Sequence, residues 1–185
     1  MRIIGGKYKG RIFHPGKSFT ARPTTDFAKE NLFNILENRL NWENINALDL
    51  FAGTGSISYE LISRGCFGVT SVEMNFRHYR FIEEIKSQLS ISNLRVYRDD
   101  AFRFVQRTKE KYDLVFADPP FDLRGFENIA TTVLNAGILK PEGIFILEHN
   151  KSHNFNKMPE FLEIRNYGSV QFSFFKNTLD LRQNE

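Results

Sequence analysis

Four consecutive residues, Asp118-Pro119-Pro120-Phe121, close the apolar run Val115-Phe116-Ala117 with a carboxylate, two rigid pyrrolidines and a flat ring. Proline lacks an N–H and disfavours helical geometry in the residue before it, so the run continues as neither helix nor central strand. What results is a stiff ledge at the carboxyl end of a strand, where open α/β sheets bind their ligands. The Asp118 carboxylate and the Pro119 carbonyl can accept both hydrogens of an exocyclic amine, and Phe121 can stack on the base that carries it. Such an amine has its lone pair delocalised into the ring. Acceptors beside its N–H bonds favour the pyramidal, positively charged nitrogen that forms when it is methylated. Asp118, Pro119 and Phe121 are therefore the candidate catalytic residues.

A methyl donor has a candidate seat upstream. Asp49-Leu50-Phe51-Ala52-Gly53-Thr54-Gly55 reads as a strand followed by a glycine turn into a helix, which exposes backbone N–H groups and lets a ligand come close. A dinucleotide fingerprint needs a third glycine where Ser58 stands, and Asp49 would sit badly beside a pyrophosphate. S-adenosylmethionine, with a sulfonium, an ammonium and no phosphate, suits an acidic pocket better. Glu73 closes the next strand 18 residues after Gly55, with Met74 beside it, and can accept the ribose hydroxyls. Asp100 can accept from the adenine amino group while the N–H of Ala101 donates to a ring nitrogen. Taken singly, each acid fits an ordinary exposed strand end; three successive strand ends carrying acids form a pattern. The candidate cofactor-binding residues are Asp49, Phe51, Ala52, Gly53, Thr54, Gly55, Glu73, Met74, Asp100 and Ala101.

The substrate class follows from charge. Net charge is only +3, but residues 1–40 carry eight Lys/Arg against three Asp/Glu, and acids outnumber bases in the remainder. Six basic residues precede Asp26, which suits contact with a nucleic-acid backbone. Lys7, Lys9, Arg11 and Arg22 are the candidate RNA-binding residues, on a basic amino-terminal extension spanning residues 1–22.

The elements that position these groups alternate regularly. Residues 2–14, punctuated by Gly5-Gly6 and Gly10, read as a short β-hairpin. Thr25 or Asp26 can cap a helix that buries Phe27, Leu32, Phe33, Ile35 and Leu36 and ends near Asn41. Strands are then expected at 47–51, 69–73, 94–97, 112–117 and 143–148, separated by helices at 56–64, 76–89, 101–108 and 126–135. A closing hairpin spans 161–167 and 170–175. Strand–helix alternation at this spacing means parallel βαβ units, hence an α/β, doubly wound, mostly parallel seven-stranded sheet with an antiparallel carboxyl-terminal hairpin. Residues 23–185 form the catalytic domain in this reading.

With 41% hydrophobic positions in 185 residues, the chain can bury one substantial core. No apolar run approaches the roughly 18–20 residues that cross a bilayer, and Met1–Gly6 is too short and glycine-rich for a signal peptide, so a cytoplasmic protein is expected. Cys66 is the single cysteine, and no Cys/His cluster has metal-site spacing. Neither a disulfide nor a metal is expected.

Together these residues resemble the RsmD-type 16S ribosomal RNA guanine-N2 methyltransferases. The likeness is carried by Arg2-Ile3-Ile4-Gly5-Gly6 with Lys9-Gly10-Arg11, Arg22-Pro23-Thr24-Thr25-Asp26, Asp49–Gly55, Ser63-Arg64-Gly65, Val72-Glu73, Asp118–Phe121 and Glu148-His149. The glycine turn is generic to class I (Rossmann-like) methyltransferases and the Asp-Pro-Pro-Phe ledge is shared with other amino methyltransferases. The amino-terminal pattern joined to Arg-Pro-Thr-Thr-Asp is more particular. The resemblance implies methyl transfer from S-adenosylmethionine to the exocyclic N2 of one guanine in small-subunit ribosomal RNA, within an assembling 30S particle. Asn75, where an acid is often found, and Asp99, where a small residue is common, depart from the pattern on the adenosine side. Two alternatives stay open: an adenine-N6 methyltransferase acting on DNA or RNA, because the ledge serves that amine equally, and a non-catalytic RNA-binding assembly factor that has kept the fold.

Overall fold

A computed structural model describes residues 1–16 and 25–177. Seven strands form one sheet in the order β3-β2-β1-β4-β5-β7-β6. They are β1 (Asn46–Leu50), β2 (Gly68–Val72), β3 (Leu94–Tyr97), β4 (Tyr112–Ala117), β5 (Leu139–His149), β6 (Phe161–Tyr167) and β7 (Val170–Lys176). The first five run parallel, and β7 pairs antiparallel with both β5 and β6. The expected architecture is met, and the strand order reverses between β1 and β4, which opens a crevice at their carboxyl ends.

Helices cover both faces. Side chains from α1 (Asp26–Glu37), α2 (Ser56–Ser63) and α3 (Phe76–Gln88) pack in one core with Leu114, Phe116 and Ile146. Those from α4 (Ala101–Arg107) and α5 (Asn128–Asn135) pack in the other with Val115, Phe145 and Leu147. Alternate residues of the central strands thus point to opposite cores, and both are apolar because parallel strands are covered on both faces.

Several boundaries differ from the sequence reading. Helix α1 begins as expected, with Thr25 Oγ1 accepting from Ala28 N, but it ends at Glu37, and Trp42–Asn44 form a separate 3-10 turn that buries the indole. Phe27 is not a core residue: it is 65% exposed and meets the ring of Tyr167 edge-on. Strand β5 starts at Leu139 rather than at 143, because its pairing with β4 shifts register between Tyr112 and Leu114 and absorbs Pro141-Glu142-Gly143.

The amino-terminal segment closes on a single bridge, Arg2 with Ile12, instead of an extended hairpin ladder. Ile3, Lys9, Gly10, Arg11 and Phe13 donate their amides within the segment, and three further amides go to α2. Ile4 N donates to Glu60 Oε2 at 2.9 Å, Lys7 N to the Ser63 carbonyl at 2.6 Å and Tyr8 N to Ser63 Oγ at 2.8 Å. Gly6 makes this approach possible, since its φ is +68° and a Cβ there would lie 1.8 Å from the Ser63 carbonyl oxygen. The arm therefore runs along α2 from Ser56 to Ser63. At the Ser56 end, the buried Lys29 Nζ donates to Arg2 O at 2.5 Å and to Ser56 Oγ at 2.9 Å. Burial depresses the Lys29 pKa, and the Glu60 carboxylate at 3.9 Å opposes that shift. Among the described residues no helix is long and apolar enough to cross a membrane.

Candidate active site

The crevice at the strand ends is a cavity of about 730 Å³. Its walls include Phe51, Ala52, Gly53 and Thr54 from the turn after β1, Glu73 and Met74 after β2, and Asp100 and Ala101 after β3. Asp118, Pro119 and Phe121 after β4 complete them. Two motifs read separately from the sequence thus open into one space.

The glycine turn is built by backbone strain. Phe51 has φ 58°, in the left-handed region that side chains other than glycine rarely occupy, and Gly53 and Gly55 follow at 55° and 75°. A bulky residue held there stores conformational energy, as recurs at ligand-binding turns. Ala52 N donates to Val72 O at 3.0 Å, which ties the turn to β2. Gly55 precedes the first residue of α2, and a Cβ there would lie 2.9 Å from the Tyr59 ring and 3.1 Å from Ile82. Its hydrogen is needed for packing.

Glu73 is buried yet reaches the cavity. Oε2 accepts the Gly53 N–H at 2.8 Å and Oε1 accepts the Asn75 N–H at 2.7 Å, with His78 Nδ1 3.7 Å from Oε1. A carboxylate oxygen has two acceptor sites, so both retain capacity toward the cavity. Asn75 caps α3 by accepting from Arg77 N at 2.9 Å. Asp100 caps α4 through Arg103 N at 2.9 Å while still lining the cavity. Asp99, the other departure from the family pattern, accepts from Asp100 N and pairs with Arg107.

Asp49 is not among the lining residues. It is buried beneath the turn, where Oδ2 accepts from Ser58 N at 3.0 Å and from Ser58 Oγ at 2.6 Å. Burial pushes its pKa up to about 7, the Ser58 hydrogen bonds oppose this, and the neighbouring Glu73 charge adds to it.

At the ledge, Asp118 N donates to Leu50 O, while Pro119 is buried and Phe121 is 39% exposed. The Phe121 ring meets buried Phe126 edge-on at 6.4 Å, and Phe126 stacks on His153 at 4.1 Å. An exposed ring with a fixed flank is a ready stacking platform.

Among the contributors to these walls that the candidate site residues did not include are Phe102, His78, Leu123 and Glu148. Phe102 meets Phe51 at 6.1 Å. Glu148 carries the signal already used elsewhere, an acid at the end of a parallel strand, and could have been found by extending that rule to β5. Lys7, Lys9 and Arg11 are exposed but do not line the cavity. Lys7 and its neighbour Tyr8 sit at Ser63, and the Tyr8 hydroxyl donates to Leu89 O at the far ends of α2 and α3. Arg22, with Pro23 and Thr24, lies outside the described residues.

A family model described as Conserved hypothetical protein 95 matches residues 1–176. The chain belongs to this family. Among its relatives is ribosomal RNA small subunit methyltransferase D of Escherichia coli (strain K12), 31% identical over 159 residues that cover 86% of this chain and 79% of the relative. Another is the putative rRNA methyltransferase YlbH of Bacillus subtilis (strain 168), 31% identical over 82% of this chain and 83% of the relative. The solved structure of the putative methyltransferase yhhF from Escherichia coli superposes with a TM-score of 0.83 at 28% identity, covering 96% of this chain and 97% of that one. The fold is also that of the Thermus thermophilus 16S rRNA N2 G1207 methyltransferase RsmC, solved with AdoMet and guanosine, at a TM-score of 0.68 and 21% identity over 86% of this chain and 45% of that one. The resemblance read from the sequence holds: this is an RsmD-type methyltransferase.

Proposed function

We propose that this RsmD-type enzyme transfers a methyl group from S-adenosylmethionine to the exocyclic N2 of one guanine in small-subunit ribosomal RNA, in the cytoplasm and within an assembling 30S particle. The observation that carries the reading is that the glycine turn and the Asp118–Phe121 ledge share a single cavity.

The residues present fit the cofactor. Six acids, Glu73, Asp99, Asp100, Asp118, Asp122 and Glu148, line the described cavity, and no Lys or Arg does. A dinucleotide's phosphates would meet repulsion there; a cationic, phosphate-free ligand meets none. When bound, S-adenosylmethionine supplies an electrophilic methyl group on a sulfonium. Glu73 would accept the ribose hydroxyls, and Phe51 and Phe102 would flank the adenine, with Asp100 and the Ala101 N–H on its polar edge.

The chain's own part is orientation. Asp118 and the Pro119 carbonyl accept the two N2 hydrogens and turn the nitrogen lone pair toward the methyl carbon. Negative charge at Asp118 stabilises the cationic nitrogen as it forms, before its proton is lost. Phe121 holds a base swung out of its strand, and Pro119-Pro120 keep the acceptors from relaxing away. Lys7, Lys9, Arg11 and Arg22 hold the RNA backbone. Residues 1–22 form the RNA-gripping extension and 23–185 the transferase domain.

The test is to incubate the protein with radiolabelled S-adenosylmethionine and, separately, ribosomal RNA, small subunits and duplex DNA, then map the labelled nucleotide. Label on guanine N2 of small-subunit RNA is the result expected. Label on adenine, or on DNA alone, overturns the assignment.

A further inference from the structure

Strands β4 and β5 pair in parallel up to Ala117 opposite Leu147, and the residues that follow these two, Asp118 and Glu148, both line the cavity. Both side chains reach that cavity, Asp118 from the ledge just past β4 and Glu148 from within β5. Glu148 differs from the other acids there. It is 3% exposed, and its backbone is held on the opposite side by β7, where it pairs with Phe172. A carboxylate on an interior strand is fixed in place, unlike one on a loop.

An ionised carboxylate accepts hydrogen bonds and donates none. The purine edges differ in the feature this would read. Guanine presents N1–H directly beside its N2 amine, two donors in a row. Adenine presents a bare N1 lone pair beside its N6 amine. With Asp118 and Pro119 on the reacting amine, the buried Glu148 at the same cavity is left for the ring atom beside that amine.

We propose that Glu148 is the specificity-determining residue, accepting the N1–H of guanine and thereby rejecting adenine, whose N1 lone pair would face a buried carboxylate. This rests on the guanine-N2 reading and supplies what the ledge lacks, since Asp118 and Pro119 serve either amine. A site built to hydrogen-bond a substrate N–H discriminates strongly against an analogue that cannot make that bond.

The experiment uses the full chain and ribosomal RNA carrying guanine, or 2-aminopurine, at the methylated position. 2-Aminopurine keeps the exocyclic N2 amine and replaces N1–H by a lone pair. Wild-type protein should methylate guanine at least about 100-fold faster in kcat/KM than 2-aminopurine. Glu148→Gln, whose amide can accept or donate, should lower guanine turnover at saturating S-adenosylmethionine and shrink that ratio by about 10-fold or more. Glu148→Asp, which keeps the charge, should lower turnover and keep the preference. Equal use of both bases by wild type overturns the inference, whatever the variants do. So does an unchanged ratio in a Glu148→Gln protein that binds cofactor normally. Absence of any guanine-N2 methylation by wild type defeats the functional reading itself, and this inference with it.

Discussion

The Gly53 N–H donates to Oε2 of Glu73 across 2.8 Å, so the turn after β1 and the acid after β2 form one cradle rather than two independent contacts. Removing the acid would therefore loosen the turn as well as delete an acceptor. Glu73→Ala should weaken S-adenosylmethionine binding by about 10- to 100-fold, the range for losing hydrogen bonds to a charged group. Glu73→Gln, which keeps one oxygen for Gly53, should lose less. Calorimetric titration separates the two, and equal affinities for wild type and Glu73→Ala would remove Glu73 from the site.

Asp118 is half-buried at the ledge, positioned by proline rings rather than by a helix or strand of its own. Truncation should leave the fold and the turn after β1 intact. Asp118→Ala should lower kcat by about 10²- to 10³-fold, as when one preorganised transition-state contact is deleted, and cofactor affinity should hold within about twofold. Single-turnover methyl transfer at saturating cofactor measures this. Near-normal turnover would dismiss Asp118 as the acceptor.

Strands β3 and β4 match the sequence reading residue for residue, because Asp-Pro-Pro ends β4 and the polar residues Ser92-Asn93 and Arg98-Asp99-Asp100 bound β3. The glycine turn was equally legible, since positive φ at Gly53 and Gly55 leaves a chemical signature. Phe51 left none: its left-handed backbone is imposed by surroundings that local sequence does not encode. Helix α2 was read as one flank of a turn, yet every residue of it is buried, its polar groups matched by Asp49, Lys29 and the amino-terminal arm. The outward turn of Phe27 and the place of β5 beside β4 are likewise non-local. Each depends on which strand lies next to which, a choice made by tertiary packing.

Asp49 makes stability depend on pH in a definite direction. Its folded pKa is raised to about 7 from an ordinary value of 3.8, so the folded state holds this proton more tightly than the unfolded chain. The stability it contributes is complete below about pH 4 and is lost as pH rises through about 7, with a slope of at most about 1.4 kcal/mol per pH unit. Asp49→Asn cannot titrate and should escape that loss. Urea unfolding of both proteins between pH 4 and 8 should show the variant gaining on wild type up to about pH 7 and a constant difference above it. Parallel curves would contradict the shift.

Lys7, Lys9 and Arg11 are exposed at the end of the arm that is pinned to Ser63, so the length of α2 separates them from the cavity. Its eight residues span about 12 Å. At that distance these cations cannot touch the reacting base; their role would be to hold a separate stretch of RNA backbone. Lys7 and Arg11 both lie over the Tyr8 ring, at 5.2 and 6.0 Å, which restrains their side chains without neutralising them. Replacing all three by Ala should therefore raise KM for RNA and reduce the slope of log affinity against log salt by about 2–3, roughly one per lost phosphate contact. It should leave kcat at saturating RNA within about twofold, because nothing at the ledge has moved. Filter binding across a salt series and steady-state methylation give the two readings. A fall in kcat with unaltered salt dependence would mean that the arm acts by supporting α2 and the glycine turn, not by gripping RNA.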